Sequence, residues 1–141
     1  MRAGGNAIAV EENSARCELI ARNAHHLGVP DLKIIHGTAP AVLADLPQPD
    51  AAFIGGGITD KNIDIICWNA LKAQGVFAAN AVTLEGEAKL SELWQKWGGE
   101  ITRLQISRLS PLGTMQGWKP FMPVSLYHTK KGQVKGDGDD T

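Results

Sequence analysis

Short apolar runs and helical stripes alternate along the chain as far as residue 99. The apolar runs predict buried parallel strands and lie at residues 7–10, 32–36, 51–54 and 76–79. Between the first two runs, apolar positions recur at helical spacing, at Cys17, Ile20, Ala21, Ala24 and Leu27. Repeated strand–helix units of this kind predict a doubly wound α/β sheet.

Capping and helix-breaking residues set the predicted helix boundaries. Asn13 or Ser14 can cap the first helix, and Gly28 followed by Pro30 ends it. Three more helices are predicted, at about residues 40–46, at about 60–73, and from Thr83 to Gly98. The last of them carries four large apolar residues on one face, Leu90, Leu93, Trp94 and Trp97.

The pattern changes after residue 100. Residues 101–110 and 124–129 predict two strands with no helix between them, and such strands normally pair antiparallel. Their connection, residues 111–123, is rich in Gly and Pro and is predicted to be a loop. Residues 132–141 predict a disordered tail, which leaves one domain over residues 1–131.

Composition narrows the class of protein. The chain has 141 residues, 43% of them hydrophobic, with a net charge of −1. This argues against nucleic acid as a partner, because no global positive field is available. No apolar run is long enough to span a membrane and no secretory signal opens the chain, so we expect a soluble, cytoplasmic protein. Cys17 and Cys67 have no metal-ligand spacing, and no metal site is predicted.

Cations cluster in the last third of the chain. Residues 101–135 contain no Asp or Glu but hold six cations, Arg103, Arg108, Lys119, Lys130, Lys131 and Lys135. The ordinary interpretation is a solvated surface. The alternative is a cleft that accepts a polyanionic small molecule, since clustered cations focus the potential over a cleft.

Small or polar residues follow each predicted strand at its carboxyl end, where open α/β sheets bind ligands. Glu11 ends the first strand and can accept the ribose hydroxyls of a nucleoside, although it can equally be a surface acid near a helix start. An acid at this place also fits a nicotinamide-dependent Rossmann enzyme. The other strand ends carry Gly37-Thr38-Ala39, Gly55-Gly56-Gly57 and Asn80 through Glu85.

Five segments, in order, resemble the decarboxylating precorrin methyltransferase family of cobalamin (vitamin B12) biosynthesis. They are AIAVEENSAR, HGTAPAVL, PDAAFIGGG, ANAVTLEGE and PLGTMQGWKPFMPV, within about residues 7–128. The resemblance implies a Rossmann-like class I S-adenosylmethionine-dependent methyltransferase fold with a terminal antiparallel hairpin, and argues against the nicotinamide enzyme. It further implies methylation of a precorrin at C15, with loss of the carboxyl group of the C12 acetate.

The resemblance also assigns roles to the strand-end residues. The residues expected to contact S-adenosylmethionine are Glu11, Gly37, Thr38, Ala39, Gly55 and Gly56. Asn80 and Thr83 are expected to orient the substrate, and Glu85 to handle a proton. The residues expected to contact the precorrin are Gly57, Arg108, Gly113, Met115, Trp118 and Lys119.

Structural alternatives stay open for several of these residues. Gly37 can be only a turn glycine, and residues 55–57 only a flexible loop. Thr83 and Glu85 can be the cap and first-turn acid of a helix. Trp118 can be a core or subunit-contact aromatic residue.

The family pattern begins with a strand, a Gly-rich turn and a helix that we do not find before residue 7. Residues 1–6 are interpreted as the end of that helix, so the chain alone is expected to bind S-adenosylmethionine poorly and to fold with difficulty. The alternative function is therefore an inactive fragment that needs this segment or a partner. The resemblance further suggests a homotetramer, fused to or associated with a C5-methylating domain, with no membrane partner.

Overall fold

The computed structural model describes Met1 and residues 4–132, which form two compact units. The first unit is Met1–Pro47, and the second begins at Gln48. Strands and helices alternate in both, and consecutive strands of each alternating part are parallel. The predicted α/β class is confirmed.

The first unit is a two-stranded parallel sheet with two helices. Its elements are β1 (Ile8–Glu11), α1 (Ser14–His26), β2 (Lys33–His36) and α2 (Ala39–Leu43). The predicted cap of α1 is confirmed at Asn13, whose Oδ1 accepts a hydrogen bond from the Arg16 amide at 3.1 Å. Gly28 follows the helix with φ +72°, a conformation that favours glycine.

The second unit contains a mixed four-stranded sheet and a separate hairpin. Its elements are β3 (Ala51–Ile54), α3 (Ile63–Ala70), β4 (Val76–Ala81), α4 (Leu84–Trp97), β5 (Glu100–Leu104), β6 (Ser107–Leu112), β7 (Met115–Pro120) and β8 (Val124–Lys130). The strand order is β3-β4-β8-β5, with β3 and β4 parallel and β8 antiparallel to both of its neighbours. The predicted antiparallel pair at the end of the chain is therefore confirmed as β5 and β8.

The core of the second unit lies between α4 and one face of this sheet. Alternate residues of β4 are buried, Phe77, Ala79 and Ala81, as are Leu90 and Leu93 of α4. Tyr127 lies opposite Ala79 and donates its hydroxyl to the Gly98 carbonyl at 2.9 Å. Burial raises the pKa of Tyr127 to about 12. Trp94 departs from the predicted buried face: it is 40% exposed, and its indole N–H donates to the Gly99 carbonyl.

The predicted loop at residues 111–123 is wrong. The structure places most of it in the hairpin of β6 and β7, and the single strand predicted at 101–110 is divided between β5 and β6. Gly113 opens the two-residue connection with φ +61°, which a tight hairpin turn requires. Pro111 and Pro120 are tolerated because both strands of a two-stranded sheet are edges, where a missing amide donor is acceptable.

Further differences from the sequence-based expectation concern element boundaries, and α2 ends earlier than expected, at Leu43. β4 continues to Ala81, so Asn80 lies in the ladder opposite Leu126 rather than in the turn. Helix α3 is shorter than expected, and Met1 and residues 4–6 form no helix. Arg2, Ala3 and residues 133–141, which include most of the predicted tail, lie outside the described residues.

The described part of the chain, Met1 and residues 4–132, lacks two kinds of feature. None of its helices is both long enough and apolar enough to cross a membrane. Within the same residues, no group of three or more His, Cys, Asp or Glu side chains could hold a metal ion.

Candidate functional site

In the first unit, the predicted nucleoside-contacting residues Glu11 and Gly37 are neighbours at the carboxyl ends of β1 and β2. The Gly37 amide donates to the Glu11 carbonyl at 3.0 Å. A Cβ added at Gly37 would lie 2.8 Å from Val42 Cγ1, so close packing also favours glycine there. Gly37 therefore ends a strand and packs tightly, which accounts for its identity without any ligand.

One oxygen of the Glu11 carboxylate is held by the protein. Oε1 accepts the Asn13 amide at 2.9 Å and lies 3.5 Å from Arg16 Nη1, and the side chain is 19% exposed. Oε2 accepts no hydrogen bond from the described residues, so it is available to accept a hydroxyl group. Next to Gly37, Thr38 is the N-cap of α2 without a side-chain hydrogen bond to the helix, and Ala39 begins α2.

In the second unit, the glycine run starts where β3 ends. Ile54 is paired with Ala79 of β4, so Gly55 is level with Asn80. Gly57 has φ +73°, and an added Cβ would lie 2.5 Å from Asp60 Oδ2, so this backbone requires glycine.

The other two glycines of this run differ from Gly57. A Cβ at Gly55 would lie 3.1 Å from Phe53 Cε1, whereas at Gly56 no described atom lies within 4 Å. Gly56 therefore borders open space that the described residues do not fill.

The residues assigned to chemistry continue from this edge. Asn80 is half-buried. Side chains alternate along β4, so Asn80 lies on the other face of the sheet from Phe77. Thr83 is the N-cap of α4, since its Oγ1 accepts the Gly86 amide at 3.1 Å, and its hydroxyl proton remains available to donate. Glu85 is exposed in the first turn of α4. The cap interpretation is confirmed for Thr83 and is compatible with a substrate-orienting role.

The face of the sheet that carries Asn80 leads into an apolar groove. Leu126 lies opposite Asn80, and paired residues of neighbouring strands share a face. The groove has a volume of about 380 Å³ and is lined by Leu104, Ile106, Arg108, Phe121, Met122, Val124 and Leu126. Sequence reasoning found only Arg108 among these. Leu104, Ile106, Phe121 and Met122 are a usable apolar signal. Their proximity was not predicted, because 121–122 lie in the predicted loop and 104–106 in the single strand predicted at 101–110.

The hairpin divides the predicted precorrin-contacting residues between its two faces. Arg108 is paired with Lys119 and Leu112 with Met115 on one face, whereas Leu109 is paired with Trp118 on the other. Trp118 is 71% exposed, which excludes the core interpretation. Gly113 lies at the tip of the hairpin with open space around it.

A charged cluster that the sequence did not predict joins the start of α4 to the sheet. Glu87 Oε1 accepts the Ser125 hydroxyl at 2.8 Å and pairs with Arg103 Nη2, and Ser125 is buried opposite Ala81. The hydrogen bond from Ser125, followed by the contacts with Arg103, holds the pKa of Glu87 below its usual value near 4.5. The cluster joins the start of α4 to β8 and β5.

Glu87→Gln is expected to change how stability depends on pH. Because the folded-state pKa is lowered, the carboxylate's contribution is fully present above the unfolded value near 4.5. That contribution is lost as the pH falls through the folded-state pKa. Thermal unfolding should show a variant less stable than wild type at neutral pH, with the difference shrinking below about pH 4.5. Glu92→Gln, at an exposed carboxylate 3.8 Å from Lys89, is the control. A difference independent of pH would contradict the role of Glu87.

Comparison with known proteins identifies a family. A family model described as "Precorrin methyltransferase domain" matches residues 1–131. A Sinorhizobium protein named precorrin-6Y C(5,15)-methyltransferase [decarboxylating] is 46% identical over 126 residues, which are 89% of this chain and 30% of that protein. The chain thus spans less than a third of that relative's length.

Two solved structures are similar throughout most of the chain. The putative precorrin-6Y C5,15-methyltransferase targeted domain from Corynebacterium diphtheriae has a TM-score of 0.84 at 36% identity, covering 90% of this chain and 76% of that one. The C-terminal domain of precorrin-6Y C5,15-methyltransferase from Rhodobacter capsulatus has a TM-score of 0.82 at 40% identity, covering 92% and 70%. The predicted Rossmann-like methyltransferase fold is confirmed, and the chain belongs to the precorrin methyltransferase family.

Proposed function

We propose that the chain methylates a precorrin at C15, using S-adenosylmethionine, and removes the carboxyl group of the C12 acetate in cobalamin biosynthesis. One observation carries the proposal. In the second unit, the open space at Gly56 and the amide of Asn80 lie at neighbouring strand ends, and the Asn80 face continues into an apolar groove with a cation, Arg108. An apolar site with few polar groups suits a large conjugated ring.

The strand-end residues of each unit fit the methyl donor. In the first unit, the unoccupied Oε2 of Glu11 can accept ribose hydroxyls, and Gly37, Thr38 and Ala39 would contact the base. In the second unit, Gly55 and Gly56 would let the backbone approach the donor closely. Bound S-adenosylmethionine would supply an electrophilic methyl group.

The chain's own contribution to the chemistry is positioning and desolvation. When the acetate loses carbon dioxide, the electron pair of the broken C–C bond passes into the conjugated macrocycle, so no protein group has to accept it. Asn80 and the Thr83 hydroxyl orient the ring by hydrogen bonds, and Glu85 moves a proton between the ring and water.

The proposal extends to partners and location. The exposed Leu109 and Trp118 share one hairpin face, which supports association with further copies as a homotetramer. Association or fusion with a C5-methylating domain, and a cytoplasmic location, stay predictions. Sedimentation of the wild-type chain beside a Trp118→Ser variant tests self-association.

One feature favours the alternative function, a chain that is active only with a further segment or partner. Among the described strands, β1 pairs only with β2 and β3 only with β4, so each has an open edge. Open edges of buried-type strands can accept another strand.

Gly56→Val tests whether S-adenosylmethionine binds in the open space beside Gly56. An added Cβ has no described atom within 4 Å and Gly56 has no positive φ, so stability should change little. Affinity for S-adenosylhomocysteine should fall by about tenfold or more, because the side chain takes the ligand's space. Calorimetry measures it in the chain alone and in the chain fused to the Gly-rich N-terminal segment of a relative. Unchanged affinity in the valine variant would contradict the assignment. Gly5→Val, in the first unit, is the control, since Gly5 has no positive φ and its added Cβ has only the Met1 main-chain nitrogen nearby, at 3.7 Å.

Complementation tests the function as a whole. A cobalamin-requiring bacterial strain that lacks the C15-methylating domain should grow without added vitamin when it expresses the chain. The alternative expects growth only when the Gly-rich N-terminal segment of a relative is fused to it. Failure of both forms, with the protein present in the cell extract, would overturn the proposal.

A further inference from the structure

Two cations face each other across the hairpin without a counter-charge. Arg108 on β6 is paired with Lys119 on β7. Like charges directly opposite each other destabilise an antiparallel pair. Neither side chain forms an ion pair within the described residues, and residues 101–132 contain no Asp or Glu. The pair is therefore suited to an anion from outside the chain.

Arg108 also lines the apolar groove, and Lys119 is its partner on the same face of the hairpin. The Arg108 guanidinium carbon lies 5.4 Å from the centre of the Phe121 ring. The Phe121 amide donates to the Ile106 carbonyl at 2.9 Å, which joins the base of the hairpin to the groove. Phe121 and Met122 are 50% and 65% exposed, so the apolar floor is open to a ligand. Leu126, which also lines the groove, lies opposite Asn80.

We infer that Arg108, Lys119 and the groove form one subsite, which takes the carboxylate-bearing edge of a planar apolar ring. The inference rests on the proposed function and adds where and how the ring is held. The apolar floor packs against the ring, and the facing cations bind carboxylates at its rim. Because the groove includes Leu126, which lies opposite Asn80, the subsite determines which edge of the ring is presented to the strand ends.

Charge complementarity favours this occupant over a second copy of the chain. Two copies that met on this face about a two-fold axis would bring both Arg108–Lys119 pairs together. That arrangement adds like charges and supplies no anion, since the segment holds no acid. A polycarboxylated ring supplies apolar surface and negative charge at once.

Binding of uroporphyrin, a planar polycarboxylated tetrapyrrole, tests the subsite in the full chain. Its own fluorescence anisotropy gives the dissociation constant. Arg108→Gln/Lys119→Gln should weaken binding by about tenfold or more and reduce its dependence on salt. Arg22→Gln/Lys33→Gln removes the same charge from the first unit and should bind as wild type does. Equal affinity in wild type and the Arg108/Lys119 variant, including no measurable binding by either, would overturn the inference.

Substitutions of Met122 test whether the groove favours a positive charge over a negative one. Because this side chain is exposed, Met122→Glu and Met122→Lys should both fold. Glutamate should repel the ring's carboxylates and weaken uroporphyrin binding, whereas lysine should preserve or strengthen it. A purely structural role would make both variants behave alike, and that result would contradict the inference. A changed sedimentation coefficient in these variants, with uroporphyrin affinity unaltered, would assign the groove to a second copy.

Failure of the inference and failure of the proposed function give different results. If the protein converts precorrin and Arg108→Gln/Lys119→Gln leaves its KM unchanged, the subsite is wrong and the function stands. If uroporphyrin binding shows the predicted charge dependence but no methyl transfer occurs, the subsite stands and the function is wrong.

Discussion

Asn80→Leu is expected to lower kcat for methyl transfer by about a hundredfold, with little change in stability. Leucine has nearly the same shape as asparagine but cannot hydrogen-bond the substrate. Asn80 is half-buried in the β4 ladder, and the backbone pairing with Leu126 does not depend on its side chain. Steady-state rates should be measured in whichever form of the protein complements the cobalamin-requiring strain.

Asn69→Leu is the matched control for that measurement. Asn69 is exposed on α3, and its side chain forms no hydrogen bond with the described residues; its main-chain carbonyl accepts a hydrogen bond from Lys131 Nζ at 3.3 Å. The control should keep the wild-type rate. An Asn80→Leu protein with wild-type kcat would remove Asn80 from the proposed site.

Gly99→Ala is expected to destabilise the fold by about 2–5 kcal/mol or to prevent folding. Gly99 has φ +92°, and an added Cβ would collide with the carbonyl oxygen of His128 and the side chain of Thr129. The obstacle includes backbone of β8, which cannot move without breaking the pairing with β4 and β5. Urea unfolding followed by tryptophan fluorescence measures the loss.

Gly113→Ala is the control that separates the collision of an added Cβ with β8 from the backbone strain of a positive φ. Gly113 also has positive φ, at +61°, but no described atom lies within 4 Å of its added Cβ. It should cost only about 1–2 kcal/mol. Equal losses at the two glycines would show that packing against β8 is not what requires glycine at position 99.

Local signals predicted the parallel part of the fold well. Strand β3 was predicted to the residue because a short apolar run lies between Pro49-Asp50 and three glycines. Asn13 was predicted as a cap from its position before a helical stripe. The proximity of Glu11 to Gly37 followed from the rule that adjacent parallel strands bring their carboxyl ends together.

The parts that were missed depend on pairing between distant residues. Pro111 and Gly113 are ordinary loop signals, and only the two-stranded hairpin makes them acceptable in a sheet. Which residues share a face with Arg108 depends on register, where a shift of one residue reverses every side chain. The contact between Glu87 and Ser125 joins residues 38 positions apart, and no local pattern reports it.

Mass spectrometry of the precorrin product tests the central claim most directly. The protein, alone and with the N-terminal segment of a relative supplied, is incubated with methyl-labelled S-adenosylmethionine and a C5-methylated precorrin. We predict a product that has gained a labelled methyl group and lost carbon dioxide, with both changes abolished or greatly slowed by Asn80→Leu. An unchanged precorrin from both forms of the folded protein, under conditions in which a relative converts it, would contradict the account.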